Sequence, residues 1–324
     1  MKSLRRRLLA GLIFGFIVIL ALTLLGDVRQ VLRDLAAFSW QLTPIVLACT
    51  LFNYLLRFVK WHFYLGQVGV HDLSVVESAR LFVGGFPLAV TPGKVGEALK
   101  GVWLNQRAGI PVARAIPVVV AERISDGLAV TALSTLGVIA YPRYWPAFVS
   151  VLTLLIAGIA LTQIRPLALS LIGLAERAPL LRRATGHLRE FYEGTYALFR
   201  PKATIAAVSL GTVAWLGEGI GFYLILRGLG VPPSWQTLSI AVFVLAFSTI
   251  VGAVSTLPGG LGAAEASIAG MLSLLLPLPV GIPAAATLLI RFATLWFGVS
   301  LGLCVWAVSS DLLLSMGEAL TPET

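Results

Sequence analysis

Apolar residues recur along this chain in blocks as long as a bilayer is thick, a rhythm that predicts membrane-spanning helices of about 20 residues each. The first block, Leu8 to Leu25, follows a basic N-terminus carrying Lys2, Arg5, Arg6 and Arg7. It is long for a cleaved leader, and the Leu24-Leu25-Gly26 exit lacks the small residue that cleavage wants, so it predicts a retained first span with a cytoplasmic N-terminus. A second block covers Pro44 to Leu65 and carries Asn53, Arg57 and Lys60 in its later half, near the expected cytoplasmic exit. The stretch from Val75 to Val90 is then broken by Thr91-Pro92-Gly93-Lys94-Val95-Gly96-Glu97 and resumes only briefly. After Pro111 comes a long helix bearing Glu122, Arg123 and Asp126 and running apolar to Ala140; Trp145 to Gln163 crosses again.

Residues 165–202 form the most polar part of the chain, rich in arginine, with leucines at roughly helical spacing. They predict a basic, amphipathic helix pair on the cytoplasmic leaflet. The next span is Ala203 to Leu226, with Trp215 and Glu218, and then the earlier pattern returns. Leu238 to Ser255 is apolar, Thr256-Leu257-Pro258-Gly259-Gly260-Leu261-Gly262-Ala263-Ala264-Glu265 breaks it, a short helix follows, and Pro283 to Val308 is the last span, carrying Arg291. Pro92 precedes Arg123 by 31 positions and Pro258 precedes Arg291 by 33, with Glu97 and Glu265 each just after the break. Two short helices around a Pro/Gly break are the mark of a re-entrant or broken hairpin, whose irregular backbone is tolerated in a membrane only where it lines a polar cavity.

The expected fold is therefore an all-α polytopic membrane protein of about six full spans plus two broken or re-entrant hairpins. It forms a single integral domain over 1–324, with one repeat half at about 42–141 and the other at about 203–309, joined by the span 145–163 and the basic segment 165–202. Counting spans from a cytoplasmic N-terminus sends the first hairpin in from the cytoplasm and the second from the opposite side. The halves are thus expected to be inverted, both termini to be cytoplasmic, and the site to lie near the bilayer midplane.

Composition narrows the function. The chain is 58% hydrophobic and 12% charged, with mean hydropathy +0.91, against about 25% charged residues in a soluble domain. A soluble enzyme and a disordered chain are excluded. The net charge of +9 would suggest nucleic acid in a soluble protein, but here the basic residues cluster in loops and set orientation, so no nucleic acid partner is expected. Cys49 and Cys304 sit in apolar runs, and His62, His71 and His187 show no metal-ligand spacing, so neither metal nor cofactor is expected. Gly93-Lys94 lacks the rest of a P-loop.

Ionisable residues inside spans demand an explanation, and Glu122, Arg123, Asp126, Glu218, Glu265 and Arg291 are such residues. They read either as a polar cavity or as internal ion pairs that only fix helix packing. Glu122 and Asp126 share one helical face, and Arg123 is within reach of Asp126. The backbone amides beside the two breaks offer anion sites at helix N-termini, strengthened by Lys94 and Arg123 in the first half.

Thr91-Pro92-Gly93-Lys94-Val95-Gly96-Glu97, then Glu122-Arg123 with Asp126, then Leu257-Pro258-Gly259-Gly260-Leu261-Gly262 with Glu265, resemble the pattern of the flippase-like membrane proteins, the family of the lysylphosphatidylglycerol synthase transmembrane region. The resemblance runs from about Leu8 to Val308 and carries over Pro92, Gly93, Gly96, Glu97, Glu122, Arg123, Asp126, Pro258, Gly259, Gly260, Gly262 and Glu265 as site positions. Lys94 and Arg291 join them from the residues alone. It implies movement of a lipid between leaflets of the plasma (bacterial inner) membrane, with membrane lipids and lipid-synthesis enzymes as partners. In family members that make aminoacylated phosphatidylglycerol, a cytoplasmic transferase domain follows such a region. This chain stops at Thr324, so synthase activity is not expected.

The leading expectation is a lipid flippase or scramblase for a polar or anionic lipid, whether aminoacylated, glycosylated or isoprenoid-linked. Two other classes stay open: a membrane-embedded enzyme using Glu122 and Asp126 as acid and base on a lipid-linked substrate, and a non-transporting partner that recruits lipid-synthesis enzymes.

Overall fold

The computed structural model describes residues 28–91, 96–140, 145–177, 185–309 and 311–312. The expected first span, and Pro92, Gly93 and Lys94 of the first break, lie outside the described residues.

The described chain is all helical. In order, α1 is Val28–Ala37, α2 Thr43–Gln67, α3 Val75–Gly84, α4 Leu99–Ala108, α5 Val112–Ala140, α6 Trp145–Gln163, α7 Arg165–Arg177, α8 Thr185–Leu198, α9 Pro201–Gly228, α10 Trp235–Val254, α11 Ala263–Leu275, α12 Gly281–Arg291 and α13 Phe297–Val308. Tight turns at Phe86–Val90 and Pro258–Gly260 mark the two breaks, and a π-helical turn, Phe292–Trp296, joins α12 to α13. Local chemistry sets the boundaries. The Ser74 hydroxyl accepts the Glu77 amide at the start of α3, Ser234 accepts that of Thr237 at the start of α10, and Gly109 ends α4 in the left-handed region at φ 67°.

Among the described residues, four helical stretches are long and apolar enough to cross a membrane: Trp40–Gln67, Pro201–Gly228, Trp235–Val254 and Gly281–Val308. A bent pair, Leu152–Gln163 with Ala168–Leu174, meets at 68° and makes a fifth if it counts as one span. The 29 residues of α5 reach about 43 Å at 1.5 Å per residue, more than a bilayer core, and bear the charges noted above. The two arms before the breaks differ: α3 has 10 residues, whereas α10 has 20 and is a span in its own right.

Burial is arranged inside out relative to a soluble protein. On α2, Asn53, Lys60, Trp61 and Tyr64 are buried, while Ile45, Leu51, Phe52, Leu55 and Val59 are exposed. Only a lipid surround makes that favourable, because apolar surface costs nothing there and each unpaired polar group costs several kcal/mol, about 2–7. Two apolar cores form. One gathers Trp61, Leu81, Phe82, Trp103, Leu104 and Val118 from α2 to α5, the other Phe222, Ile225, Val244, Ile268, Leu272 and Ile290 from α9 to α12. Val130 and Leu133 of α5 pack with Val242 and Ala246 of α10 between them.

At one end, Arg80 and Arg107 both bind Glu77 and Asp311, tying α3 and α4 to the segment after α13. The basic segment does form two helices, but α8 packs on α5: Tyr192, Thr195 and Leu198 are buried, and a Cβ on Gly194 would lie 3.0 Å from the Arg114 carbonyl oxygen.

Candidate functional site

A polar stripe runs down α2. Asn53, Arg57, Lys60 and Tyr64 recur at helical spacing on the face that meets α5 and α9. Arg57 and Lys60, placed by the sequence near a cytoplasmic exit, are built into ion pairs. Lys60 Nζ lies 2.5 Å from Asp126 Oδ1, and Arg57 donates to Glu122 at 3.1 Å and reaches Asp126 at 3.3 Å. Lys100 from α4 lies 3.4 Å from the other oxygen of Glu122, its ammonium over the rings of Trp61 and Phe82 at 5.0 and 5.3 Å. A Cβ at Gly85 would sit 2.1 Å from Lys100 Cε, so only glycine lets that side chain through.

Glu122 and Asp126 do share one face of α5, as their spacing predicts, but Asp126 takes its partners from α2 and Arg123 turns elsewhere. Arg123 Nε donates to Glu97 at 2.9 Å, and its Nη2 lies 3.6 Å from Glu122. The second half repeats this: Arg291 Nε donates to Glu265 at 2.5 Å. In both pairs arginine follows glutamate by 26 positions. The offset of two between the Pro-to-Arg distances is therefore absorbed within the breaks, between proline and glutamate.

The amides at the breaks are partly satisfied from within. Gly96 N–H donates to the Thr91 hydroxyl at 2.9 Å, and a Cβ on Gly96 would approach that threonine to 2.7 Å. Gly262 N–H donates to Glu265 at 2.6 Å, so this carboxylate both caps α11 and holds Arg291. Gly259, Gly260 and Gly262 all have φ between 62° and 87°, and the carbonyl of Gly259 accepts from Arg291 Nη2 at 2.9 Å. The turn Pro258–Gly260 lies against the turn Phe86–Val90, so the two breaks meet. Val90, Leu261 and Val299 form the small apolar cluster beside them.

Beside the two breaks there is a cavity of about 170 Å³, room for several waters at about 30 Å³ each. Its wall carries four cations, Arg57, Lys100, Arg123 and Arg291, against two carboxylates, Glu97 and Glu218. Glu122, Asp126 and Glu265 pair with those cations from behind. Gly259 and Gly260 line the cavity, as do Tyr54, Trp215, Ser248 and Thr249. Tyr54 donates to the Thr294 carbonyl in the π-helical turn just after Arg291. Glu97 keeps one buried oxygen without a hydrogen-bond partner among the described residues. The lining thus brings together Glu97, Arg123, Gly259, Gly260 and Arg291 from the expected site and Glu218 from the charges expected within spans, leaves Glu122, Asp126 and Glu265 as its backing, and adds Tyr54, Arg57, Lys100 and Trp215. The signal that would have found Arg57 is its spacing in the α2 polar stripe.

Burying an ion costs several kcal/mol even after relaxation, and pairing only repays it when geometry is good. Ionisable groups within membrane helices are rare and almost always face a bundle interior or a water-filled cavity. Comparison with known proteins gives the family: residues 8–302 match the lysylphosphatidylglycerol synthase TM region. The chain belongs to this family. A UPF0104 membrane protein of Methanothermobacter thermautotrophicus is 27% identical over 307 residues, covering 89% of each chain. Family and architecture together make this a polytopic, flippase-like protein that handles lipid.

Proposed function

We propose that this protein moves a lipid with an anionic headgroup between leaflets, the phosphate passing through the cavity while the acyl chains stay in the surrounding bilayer. The arrangement proposed is two inverted repeat halves, about 42–141 and 203–309, within six spans and two hairpins. Both termini face the cytoplasm of the plasma (bacterial inner) membrane. Pro92, Gly93, Lys94, Gly96, Glu97, Glu122, Arg123 and Asp126 serve the path from one half, and Pro258, Gly259, Gly260, Gly262, Glu265 and Arg291 from the other.

One observation carries the reading: the pairs Glu97–Arg123 and Glu265–Arg291, equally spaced in sequence, place their arginines on the wall of one cavity. Guanidinium groups match phosphate oxygens in charge and geometry. Four cations share the cavity wall with two carboxylates while three further acids sit behind, an excess of positive charge on the wall that favours an anion over a cation. Phosphate is common to phospholipids, aminoacylated or not, and to isoprenoid-linked carriers, so the arginines address the part these lipids share. Glu122 and Asp126 are engaged with Arg57, Lys60 and Lys100 behind the cavity wall and do not line it, which weighs against acid–base chemistry on a substrate there. Lipid-synthesis enzymes are the proposed protein partners, supplying the lipid on the cytoplasmic side.

The test is reconstitution into liposomes with a fluorescent phosphatidylglycerol and a fluorescent neutral diacylglycerol as control. Wild type is expected to speed the crossing of the phospholipid, and Arg123→Ala to abolish that while still inserting and eluting as a folded protein. Normal movement by Arg123→Ala would remove the site from the mechanism.

A further inference from the structure

Among the described residues, five carboxylates and five cations form the charged network around this cavity. Four of the acids have an obvious counterpart: Glu97 on Arg123 at 2.9 Å, Glu122 on Arg57 at 3.1 Å, Asp126 on Lys60 at 2.5 Å and Glu265 on Arg291 at 2.5 Å. Glu218, on α9, is different. It is 3% exposed and lines the cavity, yet it makes no hydrogen bond or ion pair with any described residue. A buried carboxylate without a partner is costly when ionised and cheap when protonated.

The groups around it are few. From α2 it faces Arg57, Tyr54 and Cys49, from α5 Asp126, and from α12 Arg291; α10 offers only the hydroxyls of Ser248 and Thr249. Two cations and one acid thus act on it from a distance, none close enough to pair. With Glu218 ionised, the five cations and five acids among the described residues balance one another. With Glu218 protonated, the same cavity gains one positive charge, the complement of a phosphodiester.

Building on the transport reading, we infer that Glu218 is a proton site whose occupancy is linked to that of the headgroup. The carboxylate takes a proton from water as an anionic headgroup enters, and returns it to water as the headgroup leaves. Loaded and empty cavities then carry the same net charge, so entry of the anion adds no charge that must be buried within lipid. Net movement of the anion follows the proton gradient.

The experiment measures binding of short-chain phosphatidylglycerol to purified protein in detergent from pH 5.5 to 8.5, with a pH dye in weak buffer to count protons. Glycerol phosphate in one parallel arm separates a lipid headgroup from a free phosphate ester, and phosphatidylcholine in another supplies a zwitterion. For wild type, affinity for phosphatidylglycerol is expected to fall about tenfold per pH unit on the alkaline side, with uptake approaching one proton per lipid bound. Glu218→Gln is expected to bind with no pH slope and no proton uptake, and Glu218→Asp to restore both. Binding by wild type without slope or uptake, or a slope retained in Glu218→Gln, would overturn the proton linkage and leave the transport reading standing. Failure of wild type to bind phosphatidylglycerol at any pH would overturn both. Should Glu218→Gln not fold, the wild-type proton count and the Glu218→Asp variant decide alone.

Discussion

Replacing Lys60 by methionine removes one charge from a deeply buried ion pair while keeping most of the length of the side chain. Lys60 is fully buried and lies 2.5 Å from Asp126. Breaking a buried pair costs about 3–5 kcal/mol, chiefly because the remaining ion is stranded. Here the cost falls at the low end, about 3 kcal/mol, since Arg57 still reaches Asp126 at 3.3 Å. Asp126→Asn alone strands the lysine and is expected to cost as much. The double variant strands neither, so the pair should show a coupling energy of about 2 kcal/mol or more, near the top of the range for residues in contact. Reversible unfolding in mixed micelles, titrated with denaturing detergent, measures all three against wild type. A loss below about 1 kcal/mol in Lys60→Met, the size expected of a solvated surface pair, would refute the claim that this end of the network is sealed from water.

Three further outcomes follow from the geometry. Gly260→Ala should destabilise the fold by about 1–3 kcal/mol, because φ is 66° and the new Cβ would lie 3.0 Å from the Gly252 backbone; melting in detergent reads the loss. Gly302→Ala should disturb the contact between α13 and the first break, where the Cβ would come within 2.2 Å of Pro87, and so should lower lipid movement along with stability. In a background with Cys49 and Cys304 replaced by alanine, cysteines at the exposed positions Gln106 and Val280 should react with an impermeant maleimide from opposite faces of the membrane; labelling from the same face would contradict the inverted arrangement.

The helical class and the two breaks were legible because they rest on local signals: apolar blocks of bilayer length and Pro-Gly clusters between them. Arg123 and Arg291 were legible too, because an arginine within a span is conspicuous by its cost. What eluded the sequence was pairing. Lys60 looks like a charge near a span end until its partner is known, and that partner, Asp126, lies 66 positions away. Local reach suggested Arg123 for Asp126, whereas three-dimensional packing gave Asp126 to α2 and Arg123 to Glu97. The break amides attracted notice as anion sites, but Gly96 and Gly262 use theirs within the chain, so the positive face of the cavity is made by side chains. The length of α10, a full span where its counterpart α3 has ten residues, shows how far two similar patterns diverge once each packs against different neighbours.

The central claim is that one arginine from each half serves a single lipid path. Lipid movement in liposomes with Arg123→Ala, Arg291→Ala and the double variant tests it most directly. Losing a buried, charge-assisted contact costs about 2 kcal/mol or more, so each single variant should slow phosphatidylglycerol at least about 30-fold. If the two arginines act on one headgroup in one passage, the double variant should be scarcely slower than either single one. Two losses that multiply as independent effects, or a single variant that transports normally, would contradict the account.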